Sequence, residues 1–176
     1  MKQQKKIISM ARDVKLVVFD VDGVLTDGGL ILGESGDEYK IFHVRDGQGL
    51  VMLRESGCYV AVITARSSKI VAERMASLGI EYLFQGQTDK GKALVNLMEQ
   101  LGISKQQVVY VGDDVPDLPA MKKAGVAIAV ADAHAVVKEK ADWVTAARGG
   151  YGAVREVCDL IMEAQGTLPM YLKQYI

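Results

Sequence analysis

The sequence predicts an α/β fold, a doubly wound parallel sheet with helices on both faces, and three observations predict it. Short, β-branched, nearly continuous apolar runs recur along the chain, as expected of strands covered on both faces. Between them lie stretches with helical spacing, several opening on a capping residue and stopping at a glycine. Polar residues gather at the ends of the apolar runs, where ligands sit in open sheets of this kind.

The strands are expected at "VKLVVFD" (14–20), "YVAVIT" (59–64), "EYLF" (81–84), "VVYVGD" (108–113) and "GVAIAV" (125–130). Of the helices, "GQGLVMLRESG" brings Leu50, Leu53 and Arg54 within contact distance and stops at Gly57. "SSKIVAERMASLG" opens on a serine and stops at Gly79, and "DKGKALVNLMEQLG" runs from Asp89 to Gly102. "DLPAMKKAG" is shorter, and "GGYGAVREVCDLIMEAQG" ends at Gly166. Repeated strand, helix, strand units call for parallel pairing. One segment breaks the alternation. "GGLILGESGDEYKIFHV" (28–44) alternates apolar residues on either side of the turn "GESGD", which predicts a β-hairpin inserted after the first strand. Its exposed edges are expected to pair with something.

Composition narrows the classes. With 49% apolar, 24% charged and 6% aromatic residues, the 176-residue chain reads as one globular domain, 1–176, with a core of its own. A net charge of −1 carries no nucleic-acid footprint, and the basic start "MKQQKK" is expected as a solvated tail. The apolar run after it is broken by Arg12, Asp13 and Lys15, and no stretch of about 18 apolar residues could span a bilayer, so neither a secretory signal nor a membrane partner is expected. Cys58 and Cys158 lie in apolar surroundings and read as buried free thiols, consistent with a cytoplasmic protein. His43 and His134 lack partners at metal spacing, and Met75, Met98, Met121 and Met162 read as core.

The strand ends carry the chemistry. The first ends in Asp20 and Asp22, the second in Thr64 followed by Arg66, and the fourth in "GDDVPD" with Asp113, Asp114 and Asp117, while Lys90 opens the helix after the third. Clustered carboxylates suit a hard cation, magnesium rather than zinc. A hydroxyl, free backbone N–H groups and an ammonium suit a phosphoryl group. Crowding of like charges raises a carboxyl pKa, so one of Asp20 and Asp22 is expected to carry a proton while the other stays ionised as a nucleophile.

"FDVDGVLTD", "VITAR", Lys90 in "TDKGKAL" and "YVGDDVPDLP" resemble, in order, the four motifs of the haloacid dehalogenase superfamily. The resemblance implies a phosphatase with Asp20 as nucleophile, Asp22 as acid/base, and Asp20, the Asp22 backbone carbonyl and Asp113 as magnesium ligands. Asp117 would support the metal's waters, and Thr64 and Lys90 the phosphoryl group, while Asp114 either supports the metal or caps the following helix. "FHVRDGQGL", "YLFQGQTDK", "AVADAH" and "GGYGAVREVCDLIMEAQG" are similar to the capless 3-deoxy-D-manno-octulosonate 8-phosphate (KDO 8-phosphate) phosphatases of lipopolysaccharide precursor synthesis. That family implies no cap domain, a homotetramer assembled through the hairpins, and a sugar-acid phosphate read by His43, Val44, Arg45, Asp46, Gly47, Arg66, Arg74 and Lys90, with Asp22. Arginine forks suit the carboxylate of a keto-acid. The tail 167–176 reaches a neighbour's site in some relatives, or else frays.

One departure is Val51, where many members of that family have lysine or arginine, so one expected substrate contact is missing. Two other readings follow. One is a phosphatase of another keto-sugar acid phosphate. The other is a non-catalytic receiver-like module, which also has clustered aspartates, a threonine and a lysine. Receivers carry the phosphorylated aspartate after the third strand, whereas that strand here ends "LFQGQTD" with its first acid several residues late.

Overall fold

The structure, a computed structural model, describes residues 2–173. In chain order the elements are α1 (Lys2–Ala11), β1 (Leu16–Phe19), β2 (Ile31–Leu32), β3 (Glu38–Tyr39), α2 (Val44–Glu55), β4 (Tyr59–Ile63), α3 (Lys69–Ser77), β5 (Tyr82–Phe84), α4 (Lys90–Leu101), β6 (Val108–Gly112), α5 (Leu118–Lys123), β7 (Val126–Ala129), α6 (Ala135–Lys140), β8 (Trp143–Val144), α7 (Ala153–Ala164) and α8 (Leu168–Leu172). Six strands form one parallel sheet in the order β5-β4-β1-β6-β7-β8. This is the α/β arrangement that the alternation of strand and helix predicts.

All four residues of β1 and all five of β6 are buried, which explains why their sequences are continuous apolar runs rather than alternating ones. β1 lies between β4 and β6, with Leu16 opposite both Tyr59 and Val108. The chain winds outward through β4 and β5, then returns to β6 on the other side of β1. The carboxyl ends of β1, β4 and β6 therefore open side by side, at the point where the winding reverses. Helix α7 buries Val154, Val157, Cys158 and Ile161 at helical spacing and packs against α2 and α1. The hairpin is antiparallel, Ile31 opposite Tyr39 and Leu32 opposite Glu38, and forms no strand pair with the main sheet.

Several local features differ from expectation. The basic start opens α1, and Ile7 and Ala11 on this helix are buried in the core. Helix α6 and strand β8 are additional, and both are too short for a periodic pattern to announce them. The tail beyond Gly166 folds back as α8, with Leu168 and Tyr171 against the core and Tyr171 Oη donating to Glu55 at 3.0 Å. The tail residues Gln174, Tyr175 and Ile176 lie outside the described residues. Cys58 and Cys158 are buried free thiols. No described helix is long and apolar enough to cross a membrane.

Candidate active site

A cleft of about 290 Å³ opens over the carboxyl ends of the central strands, lined by Asp20, Asp22, Thr64, Arg66, Lys90, Asp113, Asp114 and Asp117, with Gly28, Ala65 and Pro116. Asp20 extends β1 by one more sheet hydrogen bond, its amide donating to Val111 O at 3.1 Å. Directly after it the chain turns tightly, three successive amides, Val24 to Thr26, donating to Val21 O at 3.2, 2.9 and 3.0 Å. Gly23 sits in that turn at φ +90°, and a Cβ there would collide with the Asp113 carboxylate. Only glycine combines that backbone with so close an approach of a β6-end carboxylate.

Asp117 organises the floor. Fully buried, it accepts from Lys90 Nζ at 2.7 Å and Tyr110 Oη at 2.8 Å on one oxygen, and from the Asp113 and Asp114 amides at 3.0 and 3.3 Å on the other. Lys90, 3% exposed, also lies 2.9 Å from Asp20 Oδ1. It is held there by helix α4, whose N-cap Asp89 accepts from Lys92 N at 2.9 Å. Thr64 is buried at the end of β4 and accepts the Arg66 amide at 3.3 Å.

Oxygens of Asp20, Asp113 and Asp117 lie within 4.8 Å of one another. Burial first, then the Asp117 charge, pushes the Asp20 carboxyl up to about 7, with Lys90 opposing. Burial, then Asp117 and Asp20, pushes Asp113 up to about 8. Burial pulls the Lys90 ammonium down, but the carboxylates of Asp20 and Asp117 outweigh it and raise Lys90 above the usual lysine range. Asp113 Oδ1 is buried with no hydrogen-bond partner. Crowded carboxylates with an unpartnered buried oxygen fit a hard divalent cation, and the all-oxygen donor set points to magnesium chemistry rather than zinc.

The electrostatics of Asp22 differ from those expected of crowded acids. Its oxygens face cations, Lys40 Nζ in contact with Oδ1 and Arg66 Nε 3.8 Å from Oδ2, so the like-charge crowding falls on Asp20 and Asp113 instead. Lys40 and Glu38 were not among the residues that motif spacing singles out, and neither was Tyr110. Nothing in a strand tyrosine signals a buried hydroxyl partner.

The remaining candidates lie apart. His43, Asp46, Gly47 and Arg74 line a separate, closed crevice with Leu25 and Phe42, and Val44 and Arg45 are exposed at the start of α2. Arg74 covers the Phe42 ring at 5.9 Å and lies over Gly47. Asp46 is 1% exposed and points inward, accepting from the Gly152 and Arg155 amides at 3.1 and 2.8 Å. It thereby satisfies the N-terminus of α7. Asp46→Ala is expected to cost about 2 kcal/mol by leaving these amides without an acceptor, read as a lower urea midpoint. An unchanged midpoint would remove this capping role. Val51 is half-buried against the core and brings no charge to either group.

Comparison with known proteins places these residues in context. A family model described as haloacid dehalogenase-like hydrolase matches residues 82–155. The chain is 49% identical over 162 residues to 3-deoxy-D-manno-octulosonate 8-phosphate phosphatase KdsC of Escherichia coli (strain K12), covering 92% of this chain and 86% of that one. It is 47% identical to the Yersinia pestis protein of the same name, covering 92% and 87%. A crystal structure of 3-deoxy-D-manno-octulosonate 8-phosphate phosphatase from Moraxella catarrhalis, in complex with magnesium ion, phosphate ion and KDO, superposes with a TM-score of 0.96. Its identity is 43%, with 98% and 99% of the chains covered. A cobalt-bound Haemophilus influenzae phosphatase gives a TM-score of 0.89 at 44% identity, covering 92% and 95%. With the motif residues converging on one cleft and this likeness running through nearly the whole chain, the protein belongs to the 3-deoxy-D-manno-octulosonate 8-phosphate phosphatase family of haloacid dehalogenase-like hydrolases.

Proposed function

We propose that the chain hydrolyses KDO 8-phosphate to KDO and phosphate with magnesium as cofactor, in lipopolysaccharide precursor synthesis. The observation that carries the reading is the cleft itself, where buried Asp20 and Asp117 hold the Lys90 ammonium, half-buried Asp113 lies beside them, and Thr64 shares the same lining. Asp20, Asp113 and the Asp22 backbone carbonyl would hold magnesium, which when bound neutralises phosphoryl charge and draws electrons from phosphorus. Lys90 and Thr64 hold the phosphoryl oxygens. The Asp20 carboxylate attacks phosphorus, Asp22 gives a proton to the departing sugar oxygen, and Asp22 then takes a proton from the water that hydrolyses the aspartyl-phosphate. Asp114 and Asp117 support the metal side of the cleft.

Arg66, half-exposed at the rim, would grip the substrate carboxylate with its planar fork. The hairpin exposes Leu30, Ile31, Leu32, Tyr39 and Ile41, an apolar surface suited to pairing with other copies in a homotetramer. In such an assembly His43 to Gly47 and Arg74, which do not reach their own chain's cleft, would face a neighbour's. The protein would work in the cytoplasm. Val51 favours a second reading, another keto-sugar acid phosphate as substrate. A panel of esters, with and without Mg²⁺, tests both. KDO 8-phosphate is expected to have the highest kcat/KM, and equal turnover of unrelated sugar phosphates would defeat the substrate assignment.

Metal binding carries a pH signature. Asp20 and Asp113, raised to about 7 and about 8 in the metal-free chain, must lose their protons to hold a cation. Their protons are retained at pH values where the unfolded chain has already lost them, so acid favours the metal-free fold and opposes the metal. The apparent affinity for Mg²⁺ is expected to fall at least about tenfold between about pH 8 and about pH 6 in titration calorimetry. A pH-independent affinity would contradict the assigned ligands.

A further inference from the structure

The hairpin brings two charged residues to the cleft. Glu38 and Lys40 are two apart in extended chain and so project to one side, while Tyr39 and Ile41, 56% and 64% exposed, project to the other. The Lys40 side chain is 1% exposed, and its ammonium contacts Asp22 Oδ1 and lies 3.4 Å from Glu38 Oε1. Glu38 Oε1 in turn accepts from Arg66 Nη2 at 2.7 Å, and Arg66 Nε lies 3.8 Å from Asp22 Oδ2. Two acids and two bases thus close a ring with Asp22 at one corner. Sinking a lysine so deeply is costly unless its charge is answered, and here the answer comes from Asp22 together with Glu38.

We propose that Lys40 is the positioning residue of Asp22. Its ammonium occupies Oδ1, orients the carboxyl group, and leaves Oδ2, which Arg66 Nε faces at 3.8 Å, beyond hydrogen-bond distance, as the oxygen that hands over the proton. The inference rests on reading Asp22 as the proton carrier. As the bond from phosphorus to the leaving oxygen breaks, its electron pair stays on that oxygen. The Oδ2 proton passes there, and a carboxylate oxygen of Asp20 forms the new bond to phosphorus. An Asp22 that swings freely still permits attack but delivers the proton late. The hairpin therefore has two faces with separate tasks, an apolar one turned outward and a charged one that aims the acid.

The test compares two esters that both lack a carboxylate, so that Arg66 has no substrate carboxylate to grip. Phenyl phosphate has a leaving oxygen that needs a proton, whereas p-nitrophenyl phosphate expels a stable anion. Lys40→Met keeps the buried stem and removes the charge. It is expected to lose at least about tenfold more kcat/KM on phenyl than on p-nitrophenyl phosphate, a share of the about 10²–10⁴ that positioned acids contribute. Lys40→Arg should recover part of that difference, and Lys40→Met should add little to it in an Asp22→Asn background. The ratio of the two esters is internal to each protein, so partial loss of folded enzyme leaves it unmoved. Equal losses on both esters, or a leaving-group effect that adds fully to that of Asp22→Asn, would overturn the assignment. Asp22→Asn is the separate control: if it shows no leaving-group effect of its own, the proton-carrier reading fails, and the role of Lys40 fails with it.

Discussion

Asp20→Asn is expected to abolish turnover of KDO 8-phosphate, lowering kcat at least about 10⁴-fold, because an amide oxygen cannot form the aspartyl-phosphate. The loss should appear without loss of the fold. Burial and the Asp117 charge push the Asp20 carboxyl up to about 7, so its ionised form opposes folding at neutral pH, and a neutral side chain of the same shape relieves that repulsion. Lys90 keeps its 2.7 Å contact with Asp117. The variant should therefore melt no lower than the parent at about pH 8 while being inactive. An active variant, measured by phosphate release, would remove Asp20 as nucleophile. An inactive variant that melts much lower would show that the carboxylate is structural.

Withdrawing magnesium is the second large effect. A phosphate dianion about 4 Å from one ionised carboxylate meets a repulsion of roughly 8 kcal/mol at an effective dielectric of about 20. Asp20 shares its site with Asp113 and Asp117, and Lys90 is the ammonium paired with Asp20 and Asp117, while Lys40 is taken up by Asp22 and Glu38. Chelation is expected to lower kcat/KM at least about 10³-fold, with recovery on adding Mg²⁺ and none on adding an equal ionic strength of a monovalent salt. Full activity in chelator would show that the side-chain cations alone offset the repulsion.

Much of this was legible in the chain because strand ends are legible. A continuous apolar run followed by Asp20, Thr64 or Asp113 names both an element and its polar terminus, and a parallel sheet brings such termini together. Lys90 could be placed because Asp89 marks the start of its helix. Three things were not legible. One of the two cations facing Asp22, Lys40, is a hairpin residue 18 positions away, and only the fold-back sets that contact. Asp46 belongs to a motif yet points inward, since the N-terminus of α7, more than 100 residues later, needs its oxygens. Tyr110 looks like an ordinary strand residue, and its hydroxyl matters only because Asp117 turns back beneath it. In each case the deciding partner is distant in sequence, beyond the reach of periodicity or local spacing.

The central claim is that Asp20 receives the phosphoryl group. Mass analysis of enzyme quenched in acid during turnover of KDO 8-phosphate with Mg²⁺ tests it most directly. The predicted result is one added phosphoryl group on the peptide that contains Asp20, absent from Asp20→Asn. Turnover with no phosphorylated enzyme, or with the group on another residue, would contradict it.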